Sequence, residues 1–368
     1  TEQIRSRPLE ELKRRDWPTL TVEPLNQSEC KVFLKDYLKQ YVKELDTVQT
    51  ERIAAARQTS NPLYLRALLE ELRLFGKYEE LDKKITYYLE AQNPYELYKK
   101  VVVRWEEDYE EDNDLVGESM SLIWAARRGL SEGELLDVLG KDGEPLPQTV
   151  WSPLFLAAEG SLVNCSGLLN FFHDYLRDAV KDKYLSTEEK QKEAHVILAD
   201  YFEKKELGIR KVDELPCQLS QAMQWQRLYN LMSSLDFFKA VWTAEQFEAK
   251  AYWAMLENNS LSIVDAYQPV LKSSNLYENK NSVWYLTKLF ADIGHPSEAF
   301  SLCEYLVKYC REIGDNNGLQ TSLGGQALIL RGWGRLDEAM ELLKEQERIC
   351  VENLETKKVW GHPLAAKH

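Results

Sequence analysis

Residues 287–300 read Thr287-Lys288-Leu289-Phe290-Ala291-Asp292-Ile293-Gly294-His295-Pro296-Ser297-Glu298-Ala299-Phe300, and residues 327–340 read Ala327-Leu328-Ile329-Leu330-Arg331-Gly332-Trp333-Gly334-Arg335-Leu336-Asp337-Glu338-Ala339-Met340. Gly294 aligns with Gly334, Glu298-Ala299 with Glu338-Ala339, and Cys310 with Cys350, always 40 residues apart. Each unit reads helix, glycine turn, helix, with a small alanine where the two helices approach. A fixed period of this length marks an α-solenoid, in which a unit buries its apolar face only against its neighbours. A degenerate further unit is expected over 245–275. About three stacked units are needed for stability. Two clear ones predict that the array leans on the helices before it or continues beyond this sequence. Residues 359–368 break the pattern and read as a terminus.

Working outward, 368 residues with 44% hydrophobic and 29% charged content can bury a sizeable core and fill two or three domains. No run of 18 apolar residues exists, so no membrane span is expected. Thr1-Glu2-Gln3-Ile4-Arg5-Ser6-Arg7 lacks the apolar stretch of a secretory signal. The net charge of −14 repels phosphate backbones and argues against nucleic acid as a partner. The densest basic runs, Lys13-Arg14-Arg15 and Arg127-Arg128, are short. The six cysteines lie far apart and form no C-x-x-C pair, the pattern of a reduced, cytoplasmic protein. Gly76-Lys77 and Gly140-Lys141 lack the earlier glycine of a phosphate loop, and no other catalytic signature appears, so the chain holds no complete catalytic site. Five histidines offer little for a metal cluster, and no metal site is expected.

Before the repeats the pattern is helical with one exception. Residues 8–15 read as a short helix and Leu20-Thr21-Val22 as a strand ending at Pro24. From Ser28 helical spacing sets in, with Val32, Phe33, Tyr37, Leu38 and Tyr41. Further helices are expected over 47–56, from Pro62, near 78–89 and over 94–111. The acidic run 106–112 reads as a solvated helix end leading into a linker. Then follow helices over 115–127, 134–139 and 150–158. Two apolar runs flank Asn164-Cys165-Ser166-Gly167 as a hairpin, and a helix comes after it. Three helices, a hairpin and a helix make a winged-helix arrangement. Its third helix region, 147–158, contains no Lys or Arg, so DNA reading through it is not expected. The fold class is therefore mainly α. It comprises a core remnant over 1–26, a helical lid over 27–113, a winged helix over 114–205, a connecting helical region over 206–280 and repeats over 281–368.

Four stretches occur in a telling order. They are Ser6-Arg7-Pro8, then Ser60-Asn61-Pro62-Leu63-Tyr64-Leu65, then Phe171-Phe172-His173-Asp174-Tyr175-Leu176-Arg177-Asp178-Ala179-Val180, and finally the 40-residue units. Together they resemble the C-terminal portion of NACHT-type STAND ATPases that carry tetratricopeptide repeats, nephrocystin-like members included. The usual tetratricopeptide period is about 34, somewhat shorter than here. The resemblance implies a lid, winged helix and repeat sensor whose phosphate loop and metal-binding acidic strand would lie before residue 1. It implies that the intact protein binds ATP or ADP, oligomerises in a nucleotide-dependent way, and acts in signalling or defence. A protein or peptide would sit on the repeats. The resemblance assigns Arg7 to the terminal phosphate, Pro62, preceded by Asn61, to the adenine base, and His173 to the β-phosphate of bound ADP. The residue types suit those tasks, since guanidinium forks and imidazole N–H groups bind phosphate oxygens. A plain repeat scaffold binding a protein partner is the alternative. Asp174 and Arg177, three apart on one helix face, are expected to pair. Trp124, Trp151, Trp225, Trp242, Trp253 and Trp333 are expected in the core or between repeats, His195 in a structural role, and Cys303, Cys310 and Cys350 facing the repeat core.

Overall fold

The computed structural model describes residues 12, 14–15, 17–18, 22–76, 78–109, 114–271 and 280–360. The strand expected over Leu20-Thr21-Val22 lies largely, and Arg7 wholly, outside these residues. The chain folds as two compact units, one taking the residues up to Trp124 with Arg128–Lys190, the other Ala125–Arg127 with the residues from Gln191 onward.

In the first unit, α1 (Gln27–Lys39) opens with a capping box, Asn26 and Glu29 satisfying each other's backbone N–H groups. Asp46 and Gln49 do the same for α2 (Thr47–Ala55). A 3₁₀ turn, Arg57–Ser60, leads into α3 (Pro62–Leu74) with Pro62 at its first turn. α4 (Leu81–Leu89) and α5 (Pro94–Tyr109) follow. Leu34, Ile53, Leu65, Leu68, Ile85, Leu97 and Trp105 are fully buried. The Tyr64 hydroxyl donates to the carbonyls of Tyr88 (2.7 Å) and Ala91 (2.9 Å), pinning α3 to the end of α4. One polar cluster is also sealed inside: Arg104 holds both Glu71 oxygens at 2.7 and 2.9 Å, and Tyr88 donates to Glu71 at 2.6 Å.

The winged helix follows as α6 (Leu115–Ala125), α7 (Glu132–Leu139), α8 (Gln148–Ala158), β1 (Leu162–Cys165), β2 (Leu168–Phe171) and α9 (Asp174–Tyr184). The strands pair antiparallel in register Leu162↔Phe171 to Cys165↔Leu168. Ser166 and Gly167 both have positive φ (57° and 86°), the geometry that a two-residue hairpin turn needs to match strand twist. α9 lies along α5. Lys183 pairs with Glu106 at 2.8 Å, the Tyr184 hydroxyl donates to Glu106 at 2.6 Å, and Tyr95 donates to Asp182. Of the acidic run, Glu106 is turned onto α9, Glu107 and Asp108 are exposed, and residues 110–112 lie outside the described residues. Glu106 has these partners, and Asp108 binds Arg104 at 2.9 Å.

Leu130 exchanges backbone hydrogen bonds with Leu169 (3.1 and 2.7 Å), adding a third short rung to the hairpin. Gly129 precedes it at φ 102°, and a Cβ there would sit 2.3 Å from the Leu169 carbonyl oxygen. Gly129→Ala is therefore expected to cost about 1–3 kcal/mol in backbone strain and to break this rung as well. Gly143, at φ 84° with nothing within 4 Å of its missing Cβ, is the control that feels strain alone. Urea midpoints should fall further for Gly129→Ala than for Gly143→Ala.

The second unit contains α10 (Glu188–Lys204), α11 (Ile209–Gln221), α12 (Trp225–Ser233), α13 (Leu235–Ala244), α14 (Gln246–Asn258) and α15 (Ile263–Leu271). Then come α16 (Lys280–Asp292), α17 (Pro296–Ile313), α18 (Asn316–Gly332) and α19 (Leu336–Trp360). The repeat is visible in the backbone. His295 N donates to Phe290 O at 2.8 Å and Arg335 N to Leu330 O at 2.9 Å, the same closure one period on. Gly294 and Gly334 take positive φ (104° and 77°) in these closures, which explains the glycine at both places. Ala299 and Ala339 are buried at the helix approaches as expected. On α18 a Cβ at Gly325 would meet Cys303 Sγ at 3.2 Å and Trp284 at 3.3 Å, so consecutive helices pack closely only because no side chain intervenes.

Below the repeats an aromatic cluster fills the core. Tyr267 is its centre, with ring centroids 5.4 Å from Trp253, 5.8 Å from Phe238 and 6.4 Å from Phe290. His195 is buried and bonded to Gln218 at 2.7 Å, a structural placement. Trp151, Trp253 and Trp242 are buried, but Trp333 is 40% exposed, packing one face on Phe300 at 5.2 Å. Cys303 and Cys310 are buried and Cys350 is half-buried. Among the described residues no helix is long and apolar enough to cross a membrane, and no group of three metal-ligating side chains occurs.

Candidate functional site

In the first unit the starts of α3, α5 and α9 open onto one cleft of about 1450 Å³. Asn61, Pro62 and His173, far apart in sequence, all line it, with Asn93 and Tyr175. The local chemistry explains each placement. The Asn61 side chain accepts hydrogen bonds from Leu63 N (2.9 Å) and Tyr64 N (3.3 Å), capping α3 and fixing the exposed edge of Pro62. The segment that runs past them is tied down by Leu25 N donating to Ser60 O at 2.8 Å. His173 occupies the cap position of α9 in extended conformation, and its side chain makes no capping bond. That leaves the imidazole, half-buried, facing the cleft.

Phe172 meets His173 edge to face, centroids 4.7 Å apart. On the other side of Phe172 the Arg66 guanidinium lies 5.2 Å from the ring centroid. Burial lowers the His173 pKa from its ordinary value, Asp174 pulls the other way, and Arg66 lowers it further. The imidazole is thus neutral at physiological pH and carries one N–H donor and one acceptor. Such a group donates to an oxyanion without bringing a charge.

Arg7 lies outside the described residues, so the structure brings together three of the four residues chosen from sequence. Arg177 does not pair with Asp174. It donates to the Trp124 carbonyl at 2.7 Å and covers that ring, because its helix turns it inward against the winged-helix core. Arg66 and Phe172 are the residues that sequence reasoning passed over. A signal existed for Arg66, since it follows Pro62 by one helical turn and must share its face. A smaller side pocket, about 850 Å³, continues past Tyr95, Asp174, Asp178, Lys181 and Asp182, three carboxylates against one lysine.

Comparison with known proteins gives the wider setting. No protein-family profile matches the chain, and no solved structure matches it. It is 30% identical over 351 residues to a TPR repeat-containing protein of Dictyostelium discoideum, covering 90% of this chain and 21% of that protein. It is 25% identical over 263 residues to tetratricopeptide repeat protein 41 of Rattus norvegicus, covering 60% and 20% respectively. It is 23% identical over 302 residues to nephrocystin-3 of Xenopus laevis, covering 76% and 22%. The chain spans about a fifth of the length of these curated relatives. With its 40-residue helical units, it is similar to proteins named for tetratricopeptide repeats.

Proposed function

We propose that the chain is the regulatory and sensor part of a nucleotide-driven switch of the NACHT-type STAND kind, in the cytoplasm. One observation carries this reading: the Asn61-Pro62 pair and His173, more than a hundred residues further on, face a single open cleft. The cleft exceeds the roughly 300–1,000 Å³ of an ordinary small-ligand pocket. That size suits a site completed by a second protein surface. In this reading the residues here hold one side of ADP or ATP, and an ATPase core supplies the phosphate loop. Pro62 offers a rigid apolar edge to a base, Asn61 keeps α3 from fraying behind it, and the neutral His173 donates a proton in a hydrogen bond to a phosphate oxygen. Differential contacts in the closed and open states then set the switch, with no chemical step in this segment. A protein or peptide on the repeats would release the closed state and permit self-assembly.

The test is Mg-ADP affinity of the intact protein. His173→Ala is expected to weaken it about tenfold, a loss of about 1.4 kcal/mol, and Pro62→Ala less. Unchanged affinity in both variants overturns the switch. A repeat scaffold binding a protein partner is the second reading, favoured by the exposed Leu328, Leu336 and Met340 on the repeat helices and Trp333 at the turn between them. Nucleotide plays no part in it.

A further inference from the structure

Charge is spread unevenly over this acidic chain. Arg66 and Arg57 both line the cleft, and neither has a carboxylate within ion-pair distance among the described residues. Three other arginines of the first unit are neutralised, Arg52 by Asp82 at 3.1 Å, Arg73 by Glu70 at 2.7 Å and Arg104 by Glu71 at 2.7 Å, while Arg177 is turned to the Trp124 carbonyl at 2.7 Å and away from the cleft. Among the described residues the only carboxylate lining the cleft proper is Glu23, which is exposed. A half-buried guanidinium without a counter-ion is costly unless something else compensates it. Here the Phe172 face does so in part. A ring quadrupole holds a cation far less strongly than a doubly charged oxyanion does through two parallel N–H bonds. The same ring touches His173, so guanidinium and imidazole flank one platform.

We infer that Arg66 is the anion-binding residue of this cleft, taking a phosphate group bidentately while His173 donates to the same group and Phe172 parks the guanidinium until the anion arrives. This rests on the reading of the cleft as one side of a nucleotide site, and it adds a cation to the residues that reading assigned. Phosphate is favoured over a carboxylate ligand because it presents enough oxygens for both donors at once. Arg57, exposed at the rim, adds long-range attraction only.

The experiment uses the 368-residue chain with labelled histidine side chains and inorganic pyrophosphate as probe. The His173 ring signals are identified by their absence in His173→Gln. Millimolar pyrophosphate is expected to shift them saturably and to raise the His173 pKa, since a bound anion favours imidazolium. Arg66→Gln should weaken pyrophosphate about tenfold, and Arg66→Lys, which keeps the charge and loses the fork, should recover only part of that loss. Without pyrophosphate, Arg66→Gln should also raise the His173 pKa, because a neighbouring positive charge is gone. Both variants are compared at matched melting behaviour. Equal pyrophosphate affinity in wild type and Arg66→Gln overturns the inference, as does the absence of any saturable shift in wild type. Citrate binding as tightly as pyrophosphate overturns the preference for phosphate. The parent reading fails separately, through unchanged ADP affinity of both His173→Ala and Pro62→Ala in the intact protein.

Discussion

Arg104→Met is expected to destabilise the first unit by about 3–5 kcal/mol. Arg104 and Glu71 are only 8% and 4% exposed, on α5 and α3, and Tyr88 from α4 shares the same carboxylate. Removing the guanidinium strands a buried carboxylate with one phenol for company, and the cost is that of an uncompensated charge rather than of a lost contact. The urea midpoint should drop by about 1–2 M, and amides of α3, α4 and α5 should lose hydrogen-exchange protection together. The decisive comparison is the apolar replacement of the whole cluster, Glu71→Leu with Tyr88→Phe and Arg104→Met. It should recover most of the loss, because a buried ion pair gives little net stability over well-packed apolar groups. If the triple variant is as unstable as the single one, the cluster stabilises by its own bonds and this account fails.

Tyr267→Ala should cost the second unit a similar amount, about 3–5 kcal/mol, as for other large buried aromatics. Its ring touches Trp253, Phe238 and Phe290, and so joins helices α13, α14 and α16 around α15. Its hydroxyl donates to the Met232 carbonyl at 2.6 Å. Burial pushes the phenol far above its ordinary pKa, so it remains a donor at any pH the fold survives. Tyr267→Phe keeps the ring and leaves that carbonyl unpaired, for a loss of about 1–2 kcal/mol. Denaturation of both variants separates packing from hydrogen bonding. Near-equal losses would mean that the hydroxyl, not the ring, holds the cluster.

Much of the fold was legible because local signals agreed with the tertiary outcome. Asn61-Pro62 announced a helix start and formed one. Asn164-Cys165-Ser166-Gly167 announced a hairpin and formed one. The 40-residue offset located both glycine turns. The polar core was not legible. Glu71 and Arg104 stand 33 residues apart, each a charged residue set among buried leucines, valines and Trp105, and nothing local tells that the two charges meet. Trp333 misled for the opposite reason: a large apolar residue predicts burial, yet its position beside the turn leaves one face open. At the cleft, Asn61, Pro62 and His173 came from a resemblance; helical spacing from Pro62 places Arg66 on the same face, but its pairing with Phe172 from the hairpin end did not show. That contact is long-range and leaves no trace in periodicity.

The glycine on α18 has a consequence for how such an array can grow. Trp284 presses against Gly325, while the residues one period before Gly324 and Gly325 are Trp284 and Tyr285 themselves. Large meets small across this boundary, and the two units are therefore not interchangeable parts. A tandem duplicate of the earlier unit, stacked on its own copy, would drive Trp against Tyr where no room exists. A duplicate of the later unit would set glycine against glycine and leave a void. Lengthening this solenoid by simple copying is thus blocked in both directions, and each added unit has to arrive with its contact residues already changed.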